Sequence, residues 1–319
     1  ALADADWLDE AGPEFTEATS GQTYTSYLGS SLRDYAGRYV NVHDRQRRSY
    51  EPAELDTDPI DVWFFGSSTM FGYSAQRDLH TIPSEVVRLA EDDGVSIRAH
   101  NFGSPGYVNM QETVLAAQLL ASGEAPDLIV FYDGINDSAL LFQQAFGGIG
   151  VPGDPADIFA YSYRRSLAGQ LTGTDQPPAT VAPVPDLGRP PSARAVIDAL
   201  LQAYERGIEL ATALSEHYEV PIVHFWQPDL FNKDELVPGE DVLLERLGMD
   251  QFQYDAVARF WRSILVQLPD GTIDLSDAFD GIDEPILTDE AHTNELGARL
   301  VAEAMYPHLP LAAAGTGSG

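Results

Sequence analysis

From residue 60 onward, short apolar runs alternate with longer stretches whose apolar positions recur every three or four residues. Residues 60–65 form a short hydrophobic run closed by Gly66, which reads as a buried strand. Leu79, Ile82, Val86, Leu89 and Ala90 keep helical spacing and predict a helix over 79–93. A second strand is expected over 95–100, then a turn over 101–106 and a helix over about 110–122. The third strand, 127–132, is entered through Pro126. A long helix over 192–217, a fourth strand over 220–226, a helix near 248–267, a short strand at 273–275 and a last helix near 293–305 complete the pattern. Such alternation predicts an α/β protein with a mainly parallel sheet.

Two stretches break the rhythm. Residues 1–57 read as irregular, acidic at first and then rich in Tyr and Arg, an N-terminal extension that wraps the core or roofs a site. Within it, Arg45, Arg47 and Arg48 are the dense basic patch of an acidic chain, suited either to the protein's own carboxylates or to an anionic substrate group. Residues 143–191 are rich in Gly and Pro and read as an inserted loop or lid, and 312–319 as a flexible small-residue tail. The main domain is therefore expected over 58–311.

Composition narrows the function. The chain has 319 residues, 44% of them hydrophobic and 21% charged, enough for a sizeable core. No apolar run approaches the roughly 18 residues that a membrane-spanning helix needs. Fifty acidic residues against eighteen basic ones give a net charge of −32. That field repels nucleic acid and anionic membrane surfaces, and it fits a solubility adaptation. With no cysteine, disulfides, thiolate metal sites and thiol nucleophiles are excluded. The start at Ala1, with no basic flank and no apolar leader, leads to the expectation of a secreted or surface-tethered protein.

In an open α/β sheet, ligands sit beyond the carboxyl ends of the strands. Gly66-Ser67-Ser68-Thr69 follows the first strand, 101–106 the second, and Asp133-Gly134-Ile135-Asn136-Asp137 the third. Thr288-Asp289-Glu290-Ala291-His292 precedes the last helix. Acyl transfer needs an activated hydroxyl, a base, a group to orient that base, and donors aimed at the oxyanion. Ser68 stands at a strand-to-helix turn, His292 can take its proton, and Asp289, three residues earlier, can hold the far ring nitrogen. Asn136 offers an amide and Gly106 an unobstructed backbone N–H.

These blocks resemble the SGNH (GDSL-like) hydrolases, a family named for Ser, Gly, Asn and His in four separated blocks. Phe65-Gly66-Ser67-Ser68-Thr69 matches block I, 101–106 block II, Gly134-Ile135-Asn136-Asp137 the G-x-N-D of block III, and Asp289-x-x-His292 the D-x-x-H of block V. The likeness covers about 60–305, with all blocks in order; Ser67 replaces the Asp of G-D-S. It implies a three-layer α/β/α sandwich of flavodoxin-like topology and a catalytic group of Ser68, Asp289 and His292. It also implies an oxyanion hole made by the Ser68 and Gly106 backbone N–H groups and the Asn136 amide. Asp137 is expected to brace its loop. Thr69, Tyr107 and Gln227 are the candidates for lining the substrate cleft. Phe225-Trp226-Gln227-Pro228, followed by Lys233, also resembles a bacterial subgroup, with Gln227 either reaching the cleft or ending a strand.

Competing signals are weaker. His43, His80, His100, His217, His224 and His308 lack the D-x-x-H spacing. Gly148, Gly150 and Gly153 match G-x-G-x-x-G, but no strand precedes them and Pro152 interrupts them. The G-x-S-x-G elbow is absent, because position 70 is Met. The expected activity is hydrolysis of a carboxylic ester through an acyl-serine, with a sugar O-acetyl or another short-chain ester as substrate, and the chemistry implies no metal and no organic cofactor. The alternatives are an O-acyltransferase with the same residues and a non-catalytic glycan-binding protein of the same fold. The expected partner is a small-molecule or glycan ester, with no nucleic acid.

Overall fold

The structure, a computed structural model, describes residues 8–75, 77–139 and 192–311. The insertion expected over 143–191, the Gly148–Gly153 pattern inside it and the tail expected over 312–319 lie outside the described residues.

The N-terminal segment is built rather than irregular. It comprises α1 (Leu8–Ser20), a hairpin of β1 (Gln22–Thr25) and β2 (Gly29–Leu32), then β3 (Tyr35–Ala36), β4 (Asn41–His43) and β5 (Gln46–Arg47). Helix α1 carries Gly12 and Pro13, poor helix formers, so its propensity hides it. Tertiary contacts hold it: Phe15 and Ala18 pack against Leu32, Val40, Val42 and Phe71. The Glu14 carboxylate accepts the backbone N–H groups of Arg38, Tyr39 and Val40 at 3.0, 2.7 and 2.7 Å. Gly37 permits that approach, since a Cβ there would lie 2.2 Å from Glu14 Oε1.

The central sheet contains β6 (Ile60–Gly66), β7 (Ile97–Asn101), β8 (Leu128–Asp133), β9 (Ile222–Trp226) and β10 (Thr272–Asp274), all parallel. Counted among themselves these strands run 2-1-3-4-5 across the sheet, the flavodoxin-like order. Strands β5, β4 and β3 continue it antiparallel beyond β7, through Arg47 opposite Asn101. Alternate residues feed two cores. Val62, Phe64, Val130 and Tyr132 enter one, and Trp63, Phe65, Ile129 and Phe131 the other. A strand covered on both faces needs no polar alternation, which is why 62–65 of β6 and 128–132 of β8 read as unbroken apolar runs.

Helices form the outer layers. On one face lie α3 (Ile82–Asp92) and, packed against it, the last helix (Glu295–Met305); α4 (Asn109–Ala121) and α5 (Ala193–Tyr218) pack together on the other. Between β9 and β10 come α6 (Asp241–Leu247) and α7 (Gln251–Leu265); the last helix is α8. The fold is the three-layer α/β/α sandwich. Helix α6 lies where the sequence pattern predicts none. Strands β7 and β9 start two residues later than predicted, for a common reason. Val95 and Val220 close helix C-termini, donating to Ala90 O (2.7 Å) and Ser215 O (3.2 Å) after residues with φ of 73° (Gly94) and 56° (Glu219). These apolar residues thus belong to helix caps.

Candidate active site

The first strand delivers Ser68 through a turn with no spare room. A Cβ on Gly66 would meet Met70 Cβ at 2.5 Å and Tyr132 O at 2.9 Å. Ser68 opens the short helix α2 (Ser68–Phe71), between β6 and α3, with extended Ser67 before it. Block II is tied to this turn twice: Ser104 N donates to Gly66 O (2.9 Å), and Asn101 Nδ2 to Met70 O (3.0 Å). Gly103 makes the approach possible, because a Cβ there would lie 2.2 Å from Phe71 N.

From the other end of the chain, the loop before α8 brings His292 to Ser68. His292 Nε2 lies 2.7 Å from Ser68 Oγ, and His292 Nδ1 lies 2.6 Å from Asp289 Oδ2. The other oxygen of Asp289 accepts the backbone N–H groups of Ala291 (2.9 Å) and His292 (2.7 Å), so one carboxylate shapes the turn and orients the ring. Burial alone raises the Asp289 pKa. The bond to His292, that ring's electrostatic pull and the two backbone donors outweigh burial and hold it below the ordinary value.

Further contacts fix the histidine loop. Thr288 donates from N (2.8 Å) and Oγ1 (3.0 Å) to His292 O, and its hydroxyl meets Ser74 Oγ at 2.7 Å. The Tyr73 ring lies 4.5 Å from the His292 ring, and Phe15 of α1 stands edge-on to Tyr73 at 4.8 Å. Behind the loop, buried Lys233 Nζ donates to Glu240 Oε2 (2.7 Å), while Glu240 Oε1 accepts Ile286 N (3.2 Å). This explains Lys233 after the 225–228 phrase: it anchors the chain leading to His292. Tyr73 and Ser74 carry no sequence signal, since they follow block I in no recognisable pattern.

The Asn136 amide is tied to the Gly106 turn. Asn136 Nδ2 donates to Tyr107 O at 2.8 Å, linking block III to the residue after Gly106. Gly106 is exposed with φ of 86°, a conformation that favours glycine. Asp137 accepts Asn109 N at 3.2 Å, bracing the start of α4 against block III.

All three cleft candidates are buried; Thr69 and Tyr107 spend their hydroxyls on the protein, whereas Gln227 Nε2 meets no acceptor among the described residues. Thr69 Oγ1 donates to Gln227 Oε1 at 3.3 Å, and Gln227 N to Asp133 O at 2.8 Å, so Gln227 ends β9 against block III. Tyr107 donates its hydroxyl to Ser30 O of the β1–β2 hairpin. Of the arginine cluster, Arg47 is buried and pairs with Asp78 (3.0 Å) while donating to Phe71 O (2.7 Å) and Gly72 O (2.8 Å). His224, stacked on Phe131 in the core, has its pKa lowered by burial to about 4 and stays neutral.

The arrangement is thus an α/β/α sandwich of flavodoxin-like order with a hydrogen-bonded Ser–His–Asp chain beyond the carboxyl end of β6, between β7 and β8. No family model matches the chain, and no curated protein matches it. Among solved structures it is similar to the acetyl xylan esterase AlAXEase, at 16% identity and a TM-score of 0.44 over 78% of this chain and 100% of that one. An acetyl xylan esterase from Geobacillus stearothermophilus matches at 14% identity and a TM-score of 0.40, over 77% of this chain and 92% of that one. A member of the lipolytic protein G-D-S-L family from Veillonella parvula matches at 16% and 0.38, over 77% of this chain and 96% of its own.

Proposed function

We propose that the chain is a serine esterase of the SGNH type that hydrolyses a carboxylic ester through an acyl-Ser68 intermediate. The observation carrying this reading is the continuous chain Asp289–His292–Ser68, at 2.6 and 2.7 Å. Ser68 Oγ attacks the ester carbonyl as His292 Nε2 takes its proton. Asp289 holds the ring in the tautomer that leaves Nε2 free and stabilises the imidazolium that forms. The backbone N–H groups of Ser68 and Gly106 and the second amide hydrogen of Asn136 receive the oxyanion. His292 then gives its proton to the leaving alcohol; in the second half it takes a proton from the water attacking the acyl carbonyl and returns it to Ser68 Oγ as the acyl–oxygen bond breaks and the acid leaves.

For the alcohol part we favour a sugar, with acetyl or another short acyl group. Tyr73 supports this, since its ring lies against His292 and is 40% exposed, an apolar face at the mouth of the site. The test uses p-nitrophenyl esters of increasing acyl length and an acetylated oligosaccharide. Ser68→Ala should lower kcat by on the order of 10⁶-fold with the fold intact, and a fluorophosphonate should label Ser68 in the parent protein. Retained turnover in Ser68→Ala would refute the nucleophile. Transfer of the acyl group to an added saccharide, in preference to water, would favour the acyltransferase reading instead.

A further inference from the structure

Behind block III lies a group of acids that the proposed reaction does not use. Glu112 of α4, Asp133 at the end of β8 and Asp137 are 0%, 2% and 7% exposed. Asp133 Oδ2 accepts Asn109 Nδ2 at 2.7 Å, and Asp137 Oδ1 accepts Asn109 N at 3.2 Å. Glu112 differs. Among the described residues no N–H or hydroxyl reaches either of its oxygens, and the carboxyl of Asp133 lies beside it. An ionised carboxylate so placed would have lost its hydration with nothing in exchange, beside a second negative charge. Two carboxyl groups in contact form a bond only when one keeps its proton, and the free Oδ1 of Asp133 has no other donor.

We propose that Glu112 is a positioning residue kept as the neutral carboxylic acid, donating its O–H to Asp133, and that this bond fixes the Asn136 amide. The inference rests on the proposed oxyanion role of Asn136. The path is short and stiff. Asp133 also accepts Gln227 N at its carbonyl (2.8 Å), and Gly134, with φ of 136°, runs so close to Trp226 that a Cβ would lie 3.0 Å from its ring. Asn136 follows two residues later. On the far side α5 presses on the same group, since a Cβ on Gly207 would lie 1.8 Å from Asn109 Oδ1. Rotation of Asp133 away from Glu112 therefore shifts the block III turn rather than being absorbed nearby.

The electrostatics agree. Burial raises the Glu112 pKa well above the ordinary carboxylate value, and the charges of Asp133 and Asp137 raise it further. Asp133 is pushed by burial to about 6, against the opposing bonds from Glu112 and Asn109, so it is the anion of the pair at neutral pH. The titratable groups facing Glu112 are Asp133, Asp137, the Tyr204 phenol of α5 and the Tyr107 phenol.

The experiment compares the full chain with Glu112→Gln and Glu112→Ala. Glutamine keeps an N–H donor for Asp133, so kcat on p-nitrophenyl acetate should stay close to the parent value. Alanine should lower kcat on the order of 10²-fold with KM little changed. In the infrared, the parent should show at neutral pH a protonated-carboxyl band whose Glu112 component is missing from Glu112→Gln, while any component from Asp137, also raised well above the ordinary value by burial, stays. An alkaline fall in kcat should accompany loss of the Glu112 component and be missing in the Gln variant. Absence of the Glu112 component from the parent would overturn the inference, as would a folded Gln variant as slow as the Ala variant. If Glu112→Ala does not fold, the band and the Gln pH profile still decide. Failure of the esterase reading would appear separately, as turnover surviving Ser68→Ala while the Glu112 band persists.

Discussion

Asn136 has two amide hydrogens and commits one of them, at 2.8 Å, to the carbonyl of Tyr107. That bond ties the amide to the residue after Gly106 and leaves the second hydrogen free for the proposed oxyanion role. Asn136→Ala should cost on the order of 10²–10³ in kcat, with a smaller change in KM, because the bond to substrate strengthens as charge develops. Steady-state kinetics on a short-chain ester checks this, and an unchanged kcat would mean that the oxyanion is held elsewhere. Asp289 makes a different case. Its pKa is depressed in the folded chain, so its ionised form contributes stability that is present above the unfolded value near 4 and lost as pH falls through the lower folded value. Asp289→Asn should therefore lose activity by about 10⁴-fold across neutral pH, through the wrong histidine tautomer, and should weaken the pH dependence of stability on the acid side. Thermal melts from pH 6 down to pH 3 measure the second effect, and identical slopes in both proteins would contradict it.

At the scale of elements, Ser68, the proposed nucleophile, stands on a helix of four residues, too short to be stable alone. The N-terminal segment supplies what it lacks: Arg47 of β5 donates to both Phe71 O and Gly72 O, at the helix end, while its Nε meets Asp78 at 3.0 Å with both side chains buried. Arg47→Ala strands Asp78 without its cation and should destabilise the protein by about 3–5 kcal/mol, read from urea unfolding. A loss under 1 kcal/mol would show that the clamp is dispensable. This clamp also marks where sequence reading stops. The parallel strands and the helices facing them were legible because each is an apolar run or a periodic stripe, and the Ser68, Asn136, Asp289 and His292 blocks because each borders such an element. Strands β3–β5 hold two or three residues each, too few for any alternation to show. By sequence Arg47 is one of three clustered arginines; only burial distinguishes it. Glu112 and Asn109 sit inside an apolar helix pattern where a polar residue reads as merely tolerated. What was hidden in each case is a long-range contact, which leaves no local periodicity.

Over the whole molecule, charge sets a condition on all of these contacts. Fifty acidic and eighteen basic residues leave −32 on a chain of 319, so the folded state gathers like charges that the unfolded chain holds apart. Exposed pairs such as Arg38–Glu10 and Arg299–Glu303 offset little of this, each contributing about 0–1 kcal/mol. The buried pairs Arg47–Asp78 and Lys233–Glu240 lie out of reach of mobile ions. Added salt shortens the screening length from about 10 Å at 0.1 M to about 3 Å at 1 M, which removes repulsion across the surface and leaves the buried pairs intact. Repulsion outnumbers attraction among the exposed groups, so the sign follows: Tm should rise with sodium chloride over that range. Each kcal/mol gained should appear as roughly 2–4 °C. Sodium chloride, rather than sulfate, is the proper salt, because sulfate also strengthens apolar burial and would confound the reading. A Tm that stays flat or falls would mean that the acidic surface is already neutralised in the folded state, by bound cations or by local pairing. The same titration with Arg47→Ala should then run parallel to that of the parent protein, because the clamp and the surface field act independently.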